Sequence, residues 1–208
     1  MGQIVFLTSL DDRICRPLLT PLGDHIVVRS AAELTTASGD ILLSYGTSLI
    51  VPQDQLDRFR AAYNVHAASP DYPGRDPHHF AIYDGVKRYG ATCHVMTSRV
   101  DEGPIVDVEW FDVAPEETPE SLLKRADQAA VTIIHRLGPR LRSGPLPPIG
   151  QTWGHRKTKR SDFLAMCQIS PDISREEFDR RFRAFNSGHH SNLIVEVQGK
   201  TFRIDNDR

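Results

Sequence analysis

The chain has 208 residues, of which 39% are hydrophobic, and a formal net charge of -2 with neutral histidines. This length favours one domain, or one domain with a small appendix, and the near-neutral charge argues against a broad nucleic-acid-binding surface. No apolar run is long enough to cross a bilayer, and three scattered cysteines are too few for a disulfide framework or a zinc site, so we expect a cytoplasmic protein without a metal site.

The first part of the chain alternates strand and helix patterns. Short apolar runs predict buried strands, and Asp11 or Asp12 can cap the first helix. The predicted elements in chain order are a strand at 4–8, a helix at 11–22, strands at 25–28 and 40–44 with a weak helical segment between them, and a helix at 53–60. This alternation predicts an α/β fold with a mostly parallel sheet flanked by helices.

Residues 45–52 follow the third predicted strand. In open parallel sheets ligands bind beyond the carboxyl ends of the strands, so this segment is a candidate binding loop. The alternative is an ordinary strand-to-helix connection that ends at Pro52. No Gly-x-Gly-x-x-Gly follows the first strand, so a dinucleotide cofactor is not indicated.

The stretch 63–77 places two polar side chains at the end of a strand. Asn64 and His66 are two residues apart, so on an extended backbone they leave by the same face. Pro70, Pro73 and Gly74 then exclude regular structure and predict a shaped loop beside that face. Taken alone, the pair is also consistent with an ordinary strand end.

A second excursion of the chain carries a carboxylate. After a predicted helix at 77–84, in which His78 and His79 are interpreted as surface or helix-start residues and not as ligands, the segments 90–97 and 105–113 alternate as two antiparallel strands. Asp101 stands at the tip of the turn between them.

The chain then continues into one long helix and a smaller unit. Thr118 and Pro119 are an N-cap and a first helical residue, and the apolar stripe from Leu122 to Leu141 predicts packing on the sheet. The change in composition predicts a main domain at 1–143, a Pro-rich linker at 144–155 and a small C-terminal subdomain at 156–208.

The C-terminal subdomain is predicted to hold one helix and a β-hairpin. Ser174 begins a capping box, Phe178, Phe182 and Phe185 form the buried face of the helix, and the hairpin spans 193–204. Three roles for this unit stay open: acceptor specificity, a homodimer contact, or cover for a sheet edge. Its basic run at 156–160 is either a solvated segment or a binding site for a diphosphate.

Asn64, His66 and Asp101 have the side chains that acyl transfer to an amine requires. An amide or a protonated imidazole can donate a hydrogen bond to the oxyanion. A histidine can take a proton from the amine and give one to the leaving nitrogen, and a carboxylate can fix its tautomer or relay the proton through water. No serine or cysteine nucleophile is needed.

Four motifs of the chain occur in a specific order: Asn64-Val-His66, a Pro-Gly-Arg loop at Gly74, Gly90-Ala-Thr-Cys-His94, and Val100-Asp-Glu-Gly-Pro-Ile105. In this order and spacing they resemble the catalytic core of the formyltransferase family that uses 10-formyltetrahydrofolate. The resemblance covers about residues 40–130. It implies a Rossmann-like formyltransferase fold with a shortened N-terminal part, in which Asn64, His66 and Asp101 are the catalytic trio.

The resemblance also implies the binding residues. The folate pocket, formed largely by backbone groups, would be walled by Tyr45, Gly46, Thr47, Leu49, Ile50, Met96 and Val100, and the acceptor loop would contribute Tyr72, Gly74 and Arg75. In commoner members the histidine is followed by Pro-Ser-Leu-Leu-Pro. Here Ala67-Ala-Ser-Pro70 follows it, which alters the acceptor loop but not the trio.

The implied activity is N-formylation of a small-molecule primary amine with 10-formyltetrahydrofolate as donor. The terminal helix and hairpin are similar to the tail of nucleotide-sugar N-formyltransferases, whereas relatives that formylate methionyl-tRNA carry a long RNA-binding domain. We therefore expect a nucleotide-linked amino sugar as acceptor. The alternatives are an amino acid or carrier-bound amine, a non-catalytic folate-binding homologue, and, more remotely, a metal hydrolase that uses His66, His94 and Asp101.

Overall fold

The computed structural model describes residues 3–187 and 191–206. The elements are β1 (Ile4–Leu7), α1 (Asp12–Leu19), a 3-10 turn (Thr20–Leu22), β2 (His25–Val28), α2 (Ala31–Thr36), β3 (Ile41–Tyr45), α3 (Gln53–Leu56), β4 (Ala61–His66), α4 (Pro77–Asp84), β5 (Arg88–Val95), β6 (Ile105–Asp112), α5 (Pro119–Leu141), α6 (Arg160–Cys167), β7 (Gln168–Ile169), α7 (Arg175–Phe185), β8 (Ile194–Val197) and β9 (Lys200–Arg203).

The central sheet has six strands in the order β2-β1-β3-β4-β5-β6. The first four are parallel to one another, β5 is antiparallel to β4, and β6 is antiparallel to β5. Every residue of β1 is buried, as expected for a central strand with both faces covered. The predicted α/β fold, with a mostly parallel sheet and an antiparallel pair after it, is confirmed.

The two faces of the sheet are covered by different helices. On one face Tyr45 and Val65 pack in a single cluster with Ile133 and Leu137 of α5. On the other face Leu42 and Ala62 pack with residues of α2 and α3. The predicted stripe of α5 is buried and Thr118 caps the helix, because its side chain accepts a hydrogen bond from the Ser121 N–H. Among the described residues no helix is both long enough and apolar enough to span a membrane.

The C-terminal part forms a second sheet in the order β7-β8-β9. The predicted hairpin is present, and its turn residues Gln198 and Gly199 both have positive φ, as a two-residue turn of this type requires. Phe185 is fully buried in an aromatic cluster with Phe80 and Phe163, so the predicted aromatic face of α7 is core. The two-residue β7 has no pattern long enough to be predicted.

Two local predictions are wrong, and a third is right in only one of its alternatives. The helix predicted at 53–60 ends at Leu56, because the Arg60 N–H bonds to the Asp40 carbonyl and the chain turns into β4. His79 lies at the start of α4, one of its two predicted places, but it is buried and not at the surface, since α7 packs on α4 and the His79 ring stacks on Phe185 with Nδ1 2.6 Å from the Ala184 oxygen. At Ser174 only half of the capping box forms, since the Glu177 side chain bonds to Tyr83 and Arg181 instead.

Candidate active site

Strand register brings a row of polar side chains to the carboxyl end of the sheet. Ser44 of β3 pairs with Asn64 of β4, and Asn64 in turn pairs with His94 of β5. Side chains alternate along a strand, so Asn64 and His66 share one face of β4 while Tyr63 and Val65 pack into the core against α5. Asn64, His66 and His94 line one cavity, as the two-residue spacing of the first pair predicts.

Asp101 enters the same place from the loop between β5 and β6, which we call the tip loop (residues 96–104). Asp101 is only 3% exposed, and its Oδ2 accepts a 2.9 Å hydrogen bond from the Gly74 N–H. Oδ1 lies 3.4 Å from His94 Nε2, and Oδ2 lies 3.8 Å from His66 Nε2. The three side chains named from the sequence are therefore brought together, with His94 as a fourth member.

The surroundings of Asp101 favour its ionised form. Burial by itself raises the pKa of the carboxyl, but the charges that His66 and His94 carry when protonated and the hydrogen bonds from His94 and Gly74 outweigh it and hold the pKa below its ordinary value. Asp101 is thus a carboxylate at neutral pH.

Hydrogen-bond partners indicate the tautomer of each histidine. His66 Nε2 lies 3.2 Å from the Tyr72 carbonyl oxygen and also faces Asp101; both are acceptors, so Nε2 carries the proton and the neutral ring has its lone pair on Nδ1. In neutral His94 the proton is on Nδ1, 2.9 Å from the Val95 oxygen, and Nε2 accepts from Asn64 Nδ2 at 3.2 Å. When His94 is protonated, Nε2–H donates to Asp101 instead.

A cavity of about 390 Å³ opens beside these groups. One wall is the segment after β3, the β3 loop (residues 46–51), and another is the loop after β4, the β4 loop (residues 67–76). The lining includes the residues predicted from the sequence as catalytic, folate-binding or acceptor-binding: Thr47, Leu49, Ile50, Asn64, His66, Gly74, Arg75, Met96, Val100 and Asp101.

Three other predicted binding residues do not line the cavity. Tyr45 faces α5, where its hydroxyl donates to Asp127, because its neighbour Ser44 takes the cavity side of β3. Gly46, at φ 63°, turns the chain and accepts a hydrogen bond from the Ser9 N–H. Tyr72 reaches the site through its carbonyl oxygen, whereas its hydroxyl donates to Asp84.

A segment that we call the strap (residues 151–159) crosses the site from the C-terminal side. It contains most of the basic run for which a diphosphate site is one of two interpretations, but sequence reasoning missed Trp153. Trp153 lies edge-on to the His94 ring, with a centroid separation of 5.0 Å. Lys157, Thr158 and Lys159 line the cavity, together with Arg160 at the start of α6. The position of Trp153 directly after a Pro- and Gly-rich segment is the signal that could have identified it. The division into main domain, linker and subdomain stays a prediction.

The cavity lining is strongly cationic although the chain is slightly acidic. Five basic residues contribute to it: Arg75, Arg99, Lys157, Lys159 and Arg160. Asp101 is the one acidic residue of that lining among the described residues. Glu102 bridges Lys157 and Arg99 at its edge, and Asp76 lies 3.3 Å from Arg160. In contrast, no cluster of three or more His, Cys, Asp or Glu side chains suited to a metal ion is found in residues 3–187 and 191–206.

Comparison with known proteins identifies formyltransferases as relatives of this chain. A family model described as formyl transferase matches residues 28–137, more than half of the chain. A methionyl-tRNA formyltransferase from Paracidovorax citrulli is 32% identical over 170 residues, which are 78% of this chain and 50% of that protein. The chain spans about half the length of the curated relatives it matches.

Two solved structures are similar in fold. A 4-N formyltransferase from Francisella tularensis superposes with a TM-score of 0.80 at 18% identity, covering 99% of this chain and 97% of the other. The formyltransferase PseJ from Anoxybacillus kamchatkensis, solved with UDP-4,6-dideoxy-4-formamido-L-AltNAc and tetrahydrofolate, has a TM-score of 0.65 at 22% identity over 77% of this chain and 87% of the other.

Proposed function

This chain belongs to the formyl transferase family, and on that premise we propose that it is an N-formyltransferase. The donor is 10-formyltetrahydrofolate, and the acceptor is the primary amine of a small molecule, a nucleotide-linked amino sugar. One observation carries the proposal: Asn64 and His66 of strand β4 and an ionised Asp101 of the tip loop converge on one cavity of about 390 Å³.

The cavity suits a flat heterocycle such as a pterin. Leu49, Ile50, Val51 and Met96 give it an apolar wall, and its volume lies within the range of small-molecule sites. Among the described residues, the peptide groups of Ile50 and Val51 have no hydrogen bond to another backbone group, so they are available to the edge of a ring. When bound, the donor supplies the formyl carbon.

His66 manages the proton of the acceptor amine. Its Nε2–H is held by the Tyr72 carbonyl and faces Asp101, so the basic nitrogen is Nδ1. Protonation at Nδ1 makes the ring a cation next to an ionised carboxylate, which stabilises that cation. Asp101 therefore fixes the ring and supports its charge without itself taking up the proton.

Asn64 supplies the hydrogen bond to the oxyanion that develops in acyl transfer. A carboxamide has two N–H donors, and only one of them is needed for His94 Nε2. The second is available for the oxyanion. The hydrogen bond to His94 also fixes the orientation of the carboxamide before the reaction begins, which is what electrostatic stabilisation of this kind requires.

The choice of acceptor rests on the cationic lining. Five basic side chains around one cavity suit an acceptor with several negative charges, as a nucleoside diphosphate has. A structural neighbour was solved with a UDP-linked formamido sugar, and this chain covers 97% of a 4-N formyltransferase. These likenesses support a sugar nucleotide over the tRNA that the longer curated relatives use.

The test is release of tetrahydrofolate from 10-formyltetrahydrofolate with a panel of amino-sugar nucleotides, amino acids, methionyl-tRNA and no acceptor. Turnover with an amino-sugar nucleotide, and formation of its formamide by mass spectrometry, is the expected result. Turnover only with an amino acid or with methionyl-tRNA would overturn the acceptor and keep the reaction. Folate binding without turnover on any amine would favour the non-catalytic homologue.

A further inference from the structure

The strap is bonded to both loops that meet at Asp101. Toward the β4 loop, the Gly154 N–H donates to the Pro70 carbonyl at 2.9 Å, and Thr158 forms a β-bridge with Gly74. Toward the tip loop, Trp153 Nε1 donates to the Gly103 carbonyl at 2.8 Å. A segment predicted to be largely a linker thus contributes directed hydrogen bonds to each side of the site.

Thr158 fixes the peptide that holds the Asp101 carboxylate. It is buried, its N–H donates to the Pro73 carbonyl at 3.0 Å, its carbonyl accepts from the Arg75 N–H at 2.9 Å, and Oγ1 donates to the Arg75 carbonyl at 2.7 Å. These bonds surround Gly74, whose N–H donates to Asp101. The fit is tight, since a Cβ on Gly74 would lie 2.2 Å from the Thr158 oxygen.

Trp153 fixes the loop that carries Asp101. Its acceptor, the Gly103 carbonyl, is two residues beyond Asp101, and Gly103 is itself pressed so closely on Val95 that a Cβ would lie 1.9 Å from the Val95 oxygen. The indole also lies edge-on to His94, whose Nε2 is 3.4 Å from the carboxylate. The same ring therefore contacts both the loop of Asp101 and a neighbour of its carboxylate.

From these contacts we infer that Trp153 and Thr158 are positioning residues of the active site, which act on the reaction through the carboxylate of Asp101. On one side, the hydrogen bond from Trp153 fixes the position of the tip loop. On the other side, the hydrogen bonds of Thr158 fix the position of the Gly74 N–H. Asp101 has a left-handed backbone at φ 50°, a region that aspartate adopts more readily than most non-glycine residues but still at some cost in free energy, and the contacts on both sides help to hold it there. The kinetic part of the test rests on the proposed function.

Trp153→Phe keeps the aromatic edge and removes the N–H that bonds Gly103. We expect the tip loop to shift by less than 1 Å and kcat to fall about tenfold, because a misplacement of a full 1 Å can lower a rate about a hundredfold. KM for donor and acceptor should change less than about twofold, because neither ligand is bound by the indole N–H.

The control is Trp110→Phe, which makes the same change on β6, where the ring stacks under Arg88 away from the cavity. Wild-type kcat in Trp153→Phe would overturn the inference.

A double-mutant cycle separates positioning from a general structural effect. If Trp153 acts through Asp101, then Trp153→Phe has no further effect on kcat in an Asp101→Asn background. Effects that multiply would show an independent structural role and would contradict the inference. Thr158→Val should lower kcat in the same coupled way, whereas Thr158→Ser, which keeps the hydroxyl, should restore it.

A second measurement does not depend on turnover. Hydrogen exchange of the Gly74 amide, followed by NMR in the whole protein, reports whether its bond to Asp101 is intact. We expect this amide to exchange faster in Trp153→Phe than in wild type or Trp110→Phe. Unchanged exchange would overturn the inference even if the enzyme is active. Faster exchange in a protein that transfers no formyl group would keep the inference and remove the proposed function.

Discussion

The two loops that flank the cavity are held in different ways. The β4 loop is joined to its surroundings by backbone hydrogen bonds at Pro70, Pro73, Gly74 and Arg75, and four of these bonds reach the strap or Asp101. Within residues 3–187 and 191–206, the hydrogen bonds of the β3 loop are confined to its first four residues: Ser9 bonds to Gly46 and to the Thr47 hydroxyl, and Leu49 bonds to the same hydroxyl.

Exposure differs in the same sense at some positions of the two loops, although Val51 of the β3 loop is buried and Arg75 of the β4 loop is exposed. Ile50 of the β3 loop is 66% exposed, whereas Pro70 and Pro73 of the β4 loop are buried. Proton transfer and oxyanion binding demand fixed geometry, and they are placed next to the well-bonded loop. The apolar surface for a ligand does not need such fixed geometry, and it lies on the β3 loop, which has fewer hydrogen bonds. Variants on the two sides should therefore differ in whether kcat or KM changes.

The largest effect is expected for Asp101→Asn, at the centre of the well-bonded side. Asparagine tolerates the left-handed backbone at φ 50° and can still accept from the Gly74 N–H, so the fold should persist. Without the carboxylate, protonated His66 loses its counter-charge, and kcat for tetrahydrofolate release should fall on the order of a hundredfold.

The matched control for that variant is Glu102→Gln, the same chemical change one residue along the chain at an exposed position. Its kcat should stay within about twofold of wild type, since exposed ion pairs contribute little. Wild-type turnover by Asp101→Asn would remove the carboxylate from the mechanism.

A smaller but still large effect is expected for Gly74→Ala, which breaks the bonding of the β4 loop to the strap. The new Cβ would lie 2.2 Å from the Thr158 oxygen, and φ is 103°, so the loop or the strap must move. We expect kcat to fall more than about tenfold and Tm to drop. Gly85→Ala isolates the backbone penalty, about 1–2 kcal/mol, because Gly85 also has positive φ but open space around it. Equal kcat in the two variants would show that the bridge does not matter to the site.

On the loosely bonded side, Ile50→Ser should change KM rather than kcat. Loss of about 1 kcal/mol of apolar contact with the donor would raise the KM for 10-formyltetrahydrofolate about fivefold. Ile14→Ser is the control, since Ile14 is similarly exposed on α1 and outside the cavity lining. An effect on kcat with unchanged KM would mean that the β3 loop takes part in positioning and that the contrast between the loops is false.

The smallest effect is expected for Lys159→Ala in the cationic lining. Lys159 is exposed and has no ion pair among the described residues, so it is free to meet an anionic acceptor. KM for that acceptor should rise about threefold at low ionic strength and less at high salt, because surface charges are screened. Lys124→Ala, on the exposed face of α5, should leave KM unchanged. A salt-independent KM would argue against a multiply charged acceptor.

Much of the site could be predicted from local patterns. The two-residue spacing of Asn64 and His66 fixes them on one face of a strand, and the position of Asp101 between two alternating segments places it at a loop tip. The same kind of reasoning fails for Tyr45. The predicted third strand ends at residue 44, but β3 continues to Tyr45, whose side chain packs in the core against α5 and not in the cavity. It also fails for the capping box at Ser174, where Glu177 has better partners in Tyr83 and Arg181.

The sequence by itself determined the fold class, the antiparallel excursion with Asp101, the long helix and its buried stripe, because strand and helix periodicity are local properties of the chain. Only the tertiary structure decided how the site is held. Trp153 and Gly103 are 50 residues apart, and Thr158 and Arg75 are 83 apart. No local pattern encodes such contacts: they form only once the sheet has placed the β4 loop and the tip loop side by side and the chain after α5 crosses them.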